Sequence, residues 1–225
     1  MKLILFDIDG TMLLTYGMGR ESVVRSLSEL TGQDITTEGV VFSGKTDPQI
    51  IREVMRANDL LDLVDAPFLA EAQQAYSDAL TAAYDHDRVE ELAGVRELVE
   101  ALAARDDVQL SLLTGNYEQT AYLKVGSIGL GHHFPFGAFG SDAEARRDLP
   151  PIGVKRAQAH TGRSFEGHDV IIIGDTEHDI TCGRDLGVYS VAVATGNYSR
   201  EDLAAHQPNL LLDDLCDPQP IFDIL

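Results

Sequence analysis

Four short apolar runs, each followed by a turn that carries polar residues, constrain the fold of this chain more than any other feature. They are Leu3 to Phe6, Val108 to Leu113, Val170 to Ile173 and Val188 to Val193. Such runs, bounded by Gly, Asp or Thr and containing β-branched residues, are typical of strands that are buried on both faces. Segments with apolar residues at helical spacing lie between them. Because strands and helices alternate, the sequence predicts an α/β fold in which helices cover both faces of a parallel sheet.

A long segment after the first strand interrupts this alternation. Its apolar residues recur at helical spacing, and no strand-like run divides it for long. The simplest organisation is an α/β core formed by residues 1–16 and 88–225, with a small all-helical cap domain of residues 17–87 inserted after the first strand. The last dozen residues are expected to form a closing strand and a tail.

The charge balance narrows the range of partners. The chain carries 17 Lys and Arg against 37 Asp and Glu, a formal net charge of −20 at pH 7. This charge repels phosphodiester backbones and anionic lipid surfaces, so we expect neither nucleic acid nor a membrane as a partner. The four apolar residues before Asp7 are too few for a signal peptide, and no run approaches the roughly 18 apolar residues of a membrane span. The expected location is therefore the cytoplasm.

Acidic residues follow two of the predicted strands. Asp7 and Asp9 lie two apart after the first strand, so their side chains leave an extended backbone on the same side. Asp175 and Asp179 follow the third strand four residues apart, which places both on one face of a helical turn. The carboxyl ends of parallel strands meet at one edge of the sheet, where open α/β folds bind ligands. Carboxylates gathered there repel one another unless a cation compensates, and their oxygen atoms predict a bound Mg²⁺.

The turns at these strand ends resemble the motifs of the haloacid dehalogenase superfamily of phosphatases and phosphomutases. Phe6-Asp7-Ile8-Asp9-Gly10-Thr11 resembles the first motif, Leu113-Thr114-Gly115-Asn116 the second, and Gly174-Asp175-Thr176-Glu177-His178-Asp179 the fourth. The resemblance covers nearly the whole chain and implies a Rossmann-like core with a helical cap of the C1 type. Gly44-Lys45-Thr46-Asp47-Pro48 resembles a cap segment of phosphoglycolate-phosphatase-like members.

For the acidic residues, the resemblance implies a covalent mechanism. Asp7 attacks phosphorus and becomes an aspartyl-phosphate, while Asp9 protonates the leaving alcohol and later accepts a proton from the attacking water. Mg²⁺ is held by the carboxylates of Asp7 and Asp175 and by the backbone carbonyl of Asp9. Asp179 stabilises the metal, or a neighbouring cation, without itself being a direct metal ligand.

The phosphoryl oxygens need hydrogen-bond donors. The resemblance assigns this part to Thr114 and to the residues that follow it, Gly115 and Asn116. Gly10, which permits the sharp turn after Asp9, is also expected to contribute to phosphate binding.

The third motif departs from the family pattern. Relatives often carry Lys-Pro before the Gly-Asp strand, and this chain has no Lys-Pro. The usual interval before Gly174 falls on Arg146 and Arg147. We favour Arg146 as the phosphate-facing cation, with Arg147 second and Lys155 third. An arginine can bind two phosphoryl oxygens at once, whereas a lysine acts as a point charge.

These features predict an Mg²⁺-dependent phosphatase that hydrolyses a small phosphorylated metabolite, with phosphoglycolate as the leading substrate. Lys45 is the candidate contact for a carboxylate or second phosphate of that substrate, and a solvent-facing loop lysine is the alternative. A sugar phosphomutase of the same superfamily is the second hypothesis, because it uses the same Asp7 and Asp9. A binding or regulatory module that has lost catalysis is the third. The protein is expected to be a monomer or a homodimer.

Overall fold

A six-stranded parallel sheet forms the centre of the protein in a computed structural model that describes residues Met1–Leu225. The strands in chain order are β1 (Lys2–Phe6), β2 (Leu13–Leu14), β3 (Glu90–Glu91), β4 (Val108–Leu113), β5 (Gly137–Ala138), β6 (Val170–Gly174), β7 (Tyr189–Val193) and β8 (Leu210–Leu212). The order in the sheet is β5-β4-β1-β6-β7-β8, while β2 and β3 pair as a separate antiparallel ribbon. All four predicted strands are confirmed, and they occupy the middle of the sheet.

Helices cover both faces of this sheet. In chain order they are α1 (Met18–Thr31), α2 (Asp47–Ala57), α3 (Ala66–Ala83), α4 (Val95–Ala103), α5 (Glu118–Ser127), α6 (Leu149–Thr161), α7 (Glu177–Thr181), α8 (Arg200–Ala205) and α9 (Gln219–Phe222). Alternate residues of β1 point to opposite faces, so Ile4 and Phe6 pack with α4 and α5, whereas Leu3 and Leu5 pack with α6. The predicted α/β fold is confirmed.

Helices α1, α2 and α3 share a second hydrophobic cluster, to which Ile35 and Tyr117 also contribute. The local sequence starts two of these helices. Thr46 accepts a hydrogen bond from the backbone of Gln49 at the start of α2, and Asp65 does the same for Phe68 at the start of α3. A proline occupies the first turn of each helix, where no backbone donor is needed. The boundaries 17 and 87 of the helical cap domain stay a prediction.

The end of the chain differs from the expectation. The last strand, β8, lies before the final dozen residues, which contain the short helix α9 and turns. Pro218 and Pro220 explain the difference, because proline fits the start of a helix but removes a donor from a strand ladder. No helix of the protein combines the length and the apolar character that crossing a membrane requires.

Candidate active site

The carboxyl ends of β1, β4, β6 and β7 open into one cavity of about 620 Å³. The residues that follow these strands form its floor, and α1, α2, α3 and the loop before α2 form its roof. Most of the predicted site residues line it: Asp7, Asp9, Gly10, Lys45, Thr114, Gly115, Asn116, Arg146 and Asp175. The volume lies within the range of small-molecule sites, roughly 300–1,000 Å³.

Three carboxylates meet at the floor of the cavity. Asp7, Asp175 and Asp179 each offer one oxygen atom, and these atoms all lie within 4.8 Å of one another. All three residues are buried. Gly10 makes this approach possible, because a Cβ atom at its position would lie 2.4 Å from a carboxylate oxygen of Asp175, and because its φ of +83° suits glycine.

Burial and mutual repulsion oppose the ionised state of this cluster. Burial raises the pKa of Asp7 to about 7, although Arg146 acts in the opposite direction. Burial also raises the pKa of Asp175 well above its usual range, and the neighbouring charges of Asp7 and Asp179 add to the effect. A divalent cation would favour the ionised forms, and buried carboxylate oxygens are ligands that suit Mg²⁺. The residues present therefore fit a magnesium ion.

Arg146 is the cation that the structure brings to the cluster. It lies in a short 3₁₀ turn, Arg146–Asp148, just before α6. Its Nη2 atom is 2.9 Å from Oδ1 of Asp7 and also contacts the carboxylate of Asp179. Asp179 in turn accepts hydrogen bonds from the backbone and side chain of Thr176, which fixes it at the start of α7. Asp179 thus lies behind Arg146 and outside the cavity lining.

The two alternative cations are not part of the site. The side chain of Arg147 is 81% exposed and does not line the cavity. Lys155 is exposed on α6. The structure therefore does not bring Arg147 to the cavity, because the 3₁₀ turn directs consecutive side chains apart, with one toward the cluster and the next toward solvent.

A hydrogen-bond network orients the carboxylate of Asp9. Asn116 donates one bond of 2.7 Å to Asp9 and another of 2.6 Å to the hydroxyl of Thr114. Lys124 contacts both carboxylate oxygens of Asp9 at 2.7 Å and also donates to Asn116 at 2.7 Å. Thr114 and Asn116 therefore position Asp9, in addition to facing the cavity.

The sequence analysis missed Lys124, which lies on α5 and is only 3% exposed. Burial alone would lower its pKa, but Asp9 and Asp47 outweigh burial and hold the pKa above its ordinary value. The sequence contained a feature that could have identified it, because Lys124 lies beside Ala121 and Val125 on the buried face of α5. A lysine at such a position needs a buried acidic partner.

The loop before α2 is docked onto the core at Gly115. The backbone of Asp47 donates to the carbonyl of Gly115 at 2.7 Å, and the side chain of Asp47 accepts from the backbone of Tyr117 at 2.8 Å. A Cβ atom on Gly115 would lie 2.1 Å from the carbonyl oxygen of Lys45. Gly115 therefore serves close packing between the loop and the core, beside its position in the cavity wall.

Lys45 lines the cavity from this loop, and its charge is already neutralised. Its Nζ atom lies 2.5 Å from Oε2 of Glu53 on α2. The other oxygen of Glu53 accepts from Gln49 at 3.1 Å, which holds the carboxylate in place.

Comparison with known proteins agrees with this geometry. Residues 4–193 match the model of a protein family described as haloacid dehalogenase-like hydrolase. A relative named pyrophosphatase PpaX from Listeria innocua is 26% identical over 216 residues, which cover 95% of this chain and 93% of that protein. A protein of the same name from Bacillus mycoides is 25% identical and covers 97% of this chain and 95% of its own.

Solved structures share the fold over the full length. A predicted phosphatase from Clostridium acetobutylicum has a TM-score of 0.72 at 19% identity, covering 100% of this chain and 99% of that one. A β-phosphoglucomutase from Clostridium difficile has a TM-score of 0.72 at 17% identity, covering 99% and 96%. At such identities the likeness establishes the architecture alone.

Proposed function

Because the chain belongs to the haloacid dehalogenase-like hydrolase family, we propose that it is an Mg²⁺-dependent phosphatase of small phosphorylated metabolites. The observation that carries this proposal is the convergence of Asp7, Asp175 and Arg146 at the floor of one cavity, with Asp179 behind Arg146. Such a floor can neutralise a phosphoryl group and present a carboxylate nucleophile to it.

In the first half of the reaction, an oxygen of Asp7 attacks phosphorus, and the bond from phosphorus to the leaving oxygen breaks. Asp9 gives its proton to that oxygen, so the leaving group departs as a neutral alcohol. In the second half, Asp9 takes a proton from a water molecule, and the water oxygen attacks the phosphorus of the aspartyl-phosphate. Inorganic phosphate leaves, and the Asp7 carboxylate is restored.

Each neighbouring group has a defined task in this scheme. The carboxylates of Asp7 and Asp175 and the backbone carbonyl of Asp9 would hold Mg²⁺, which supplies positive charge to the phosphoryl oxygens when bound. Arg146 adds a second positive charge at the same end of the cavity. Lys124 and Asn116 hold the Asp9 carboxylate in one orientation, so that the same residue can serve both halves of the reaction.

Hydrolysis of p-nitrophenyl phosphate in the presence of Mg²⁺, with and without a chelator, tests the reaction class. The proposal expects turnover that the chelator abolishes and added Mg²⁺ restores. Asp7→Asn should abolish turnover, whereas the matched control Asp106→Asn, on an exposed turn before β4 at the opposite edge of the sheet, should retain it. Absence of turnover in the wild-type protein would favour a binding module. Activity that requires a bisphosphate primer would favour a mutase.

The substrate is expected to be small, because the cavity between the roof and the floor has a volume of about 620 Å³. Phosphoglycolate, the substrate favoured by the sequence motifs, and inorganic pyrophosphate, suggested by the names of the relatives, belong in the first substrate panel. Both have an anionic leaving group, which makes the charge of the cavity roof decisive.

A further inference from the structure

The roof of the cavity contains two polar side chains that the reaction scheme does not use. Tyr76 of α3 and Asp47 of α2 both line the cavity, and their exposed fractions are only 2% and 7%. The hydroxyl of Tyr76 has no hydrogen-bond partner in the protein, and its pKa is well above the ordinary value because of burial. One oxygen of Asp47 accepts from the backbone of Tyr117, and the other has no donor. Neither of these two oxygen atoms is itself fully buried, so a molecule in the cavity can reach both.

Three of the four cations at the cavity form ion pairs, whereas no carboxylate contacts Arg20. Arg146 and Lys124 belong to the floor and contact Asp7 and Asp9. In the roof, Lys45 is paired with Glu53. The guanidinium of Arg20 lies 3.9 Å above the ring of Phe42 and donates two hydrogen bonds, both 3.2 Å, to backbone carbonyls of the loop before α2.

The remaining roof surface near Tyr76 is apolar and small. Val23 of α1 and Ile50 of α2 contribute aliphatic groups to the cavity wall. Gly19 of α1 leaves room directly beside the phenol, because a Cβ atom at its position would lie 3.4 Å from the Tyr76 oxygen. A bound molecule can therefore reach the hydroxyl of Tyr76 from the cavity.

We infer that the roof binds the hydroxyl groups of a neutral leaving group, so that the substrate is the monophosphate of a polyol or a sugar. This inference rests on the proposed phosphatase function. A substrate hydroxyl can donate to the free oxygen of Asp47 and accept from Tyr76, while its carbon-bound hydrogens contact Val23 and Ile50. A carboxylate or a second phosphate beside Tyr76 would face the carboxyl group of Asp47, so phosphoglycolate and pyrophosphate suit this part of the roof poorly.

A substrate panel with matched phosphoryl chemistry tests the inference. Wild-type kcat/KM is measured for glycerol 1-phosphate, sorbitol 6-phosphate and glucose 6-phosphate, for the hydroxyl-free butyl phosphate, and for phosphoglycolate and pyrophosphate. The inference expects at least one hydroxylated neutral substrate to exceed butyl phosphate and both anionic substrates by tenfold or more. A higher kcat/KM for phosphoglycolate or pyrophosphate than for every polyol and sugar phosphate overturns it.

Variants then test whether the roof residues cause the preference for hydroxylated substrates. Tyr76→Phe should lower the ratio of kcat/KM for the best hydroxylated substrate to that for butyl phosphate by about tenfold, the scale of one hydrogen bond. Tyr117→Phe is the matched control, because its ring lies 6.1 Å from that of Tyr76 but its hydroxyl does not line the cavity. It should leave the ratio at the wild-type value.

Gly19→Ala provides a second variant, which changes the surroundings of the Tyr76 hydroxyl without replacing a buried side chain. Alanine stabilises a helix relative to glycine, by roughly 0.5–1 kcal/mol, so unfolding does not explain its effect. The added methyl group would contact the Tyr76 oxygen and should also lower the ratio. Equal losses on all substrates in Tyr76→Phe and Gly19→Ala would overturn the inference. Failure of the wild-type protein to hydrolyse even p-nitrophenyl phosphate would instead reject the underlying phosphatase function.

Discussion

Removing the positive charge of Arg146 should destabilise the folded protein more than any other single substitution at the site floor. Arg146 is 6% exposed, and it contacts two carboxylates, Asp7 at 2.9 Å and Asp179, that are also buried. Arg146→Met keeps the aliphatic stem and removes the guanidinium. Three buried carboxylates, including Asp175, then lie within 4.8 Å of one another without a cation from the protein.

The expected cost follows from the burial of the pair. Removing one partner of a buried ion pair costs about 3–5 kcal/mol, because the remaining charge is neither solvated nor paired. At pH 7 the loss should be near the lower value, since burial already raises the pKa of Asp7 to about 7 and protonation relieves part of the repulsion. In a protein of this size about 1 kcal/mol corresponds to roughly 2–4 °C, so we expect Tm to fall by about 6–12 °C.

Urea unfolding with and without millimolar MgCl₂ measures this effect. Mg²⁺ should raise the free energy of unfolding of Arg146→Met by more than that of the wild type, because the variant's acidic cluster carries one more uncompensated negative charge. Arg147→Met is the matched control, since its exposed side chain should change stability by no more than about 0.5 kcal/mol. A loss in Arg146→Met of less than about 1 kcal/mol, or an equal response of both variants to Mg²⁺, would refute the electrostatic reasoning.

Three further substitutions test other parts of the account. Asp9→Asn should lower kcat by roughly 10²- to 10⁴-fold in steady-state assays, the range for losing a general acid and base, and an unaltered rate would contradict its role. Lys124→Met should lower kcat about 10- to 100-fold with little change in KM, because it removes the group that orients Asp9, and a loss confined to KM would argue against this. Burial raises the pKa of Asp47 to about 7, whereas the ordinary value is 3.8, so between these pH values the folded protein holds a proton that the unfolded chain has released. The free energy of unfolding contributed by this proton therefore declines as the pH rises to about 7. Asp47→Asn lacks this dependence, so its stability relative to the wild type should increase between about pH 5 and pH 8 in urea unfolding, and a constant difference would be the contrary result.

The sheet could be predicted because its central strands are predominantly apolar runs. Burial on both faces requires such runs, and β1, β4, β6 and β7 have them. The edge strands could not be predicted in the same way. β5 spans only Gly137–Ala138, and β8 only Leu210–Leu212, so each is too short to carry a period and is a strand only through its neighbour in the sheet.

The floor of the site was more predictable than its roof. Asp7 and Asp175 follow directly from strands, and the parallel sheet brings their positions together. Lys124 and Tyr76 lie within helices, where spacing predicts the buried face but not whether it meets a hydrophobic core or a cavity. Tyr76 in particular occupies an apolar position of α3 and packs in the helical cluster, yet its hydroxyl reaches the cavity.

The ion pair of Lys45 with Glu53 could not be predicted from the sequence. Its position in the loop before α2 places it at the cavity, as the sequence motif suggested for a substrate contact. Its partner Glu53 lies eight residues away on α2. Only the fold of the loop brings the two together, so the sequence did not reveal that this charge is neutralised.

The central claim, that Asp7 accepts the phosphoryl group beside a magnesium site, is tested most directly by trapping the covalent intermediate. The protein is mixed with a ³²P-labelled phosphomonoester and Mg²⁺, quenched in acid within milliseconds, digested and mapped by mass spectrometry. The account predicts a hydroxylamine-labile label on Asp7 that is absent when a chelator is present and in Asp7→Asn. Rapid product formation with no label on the protein, or with the label on another residue, would contradict it.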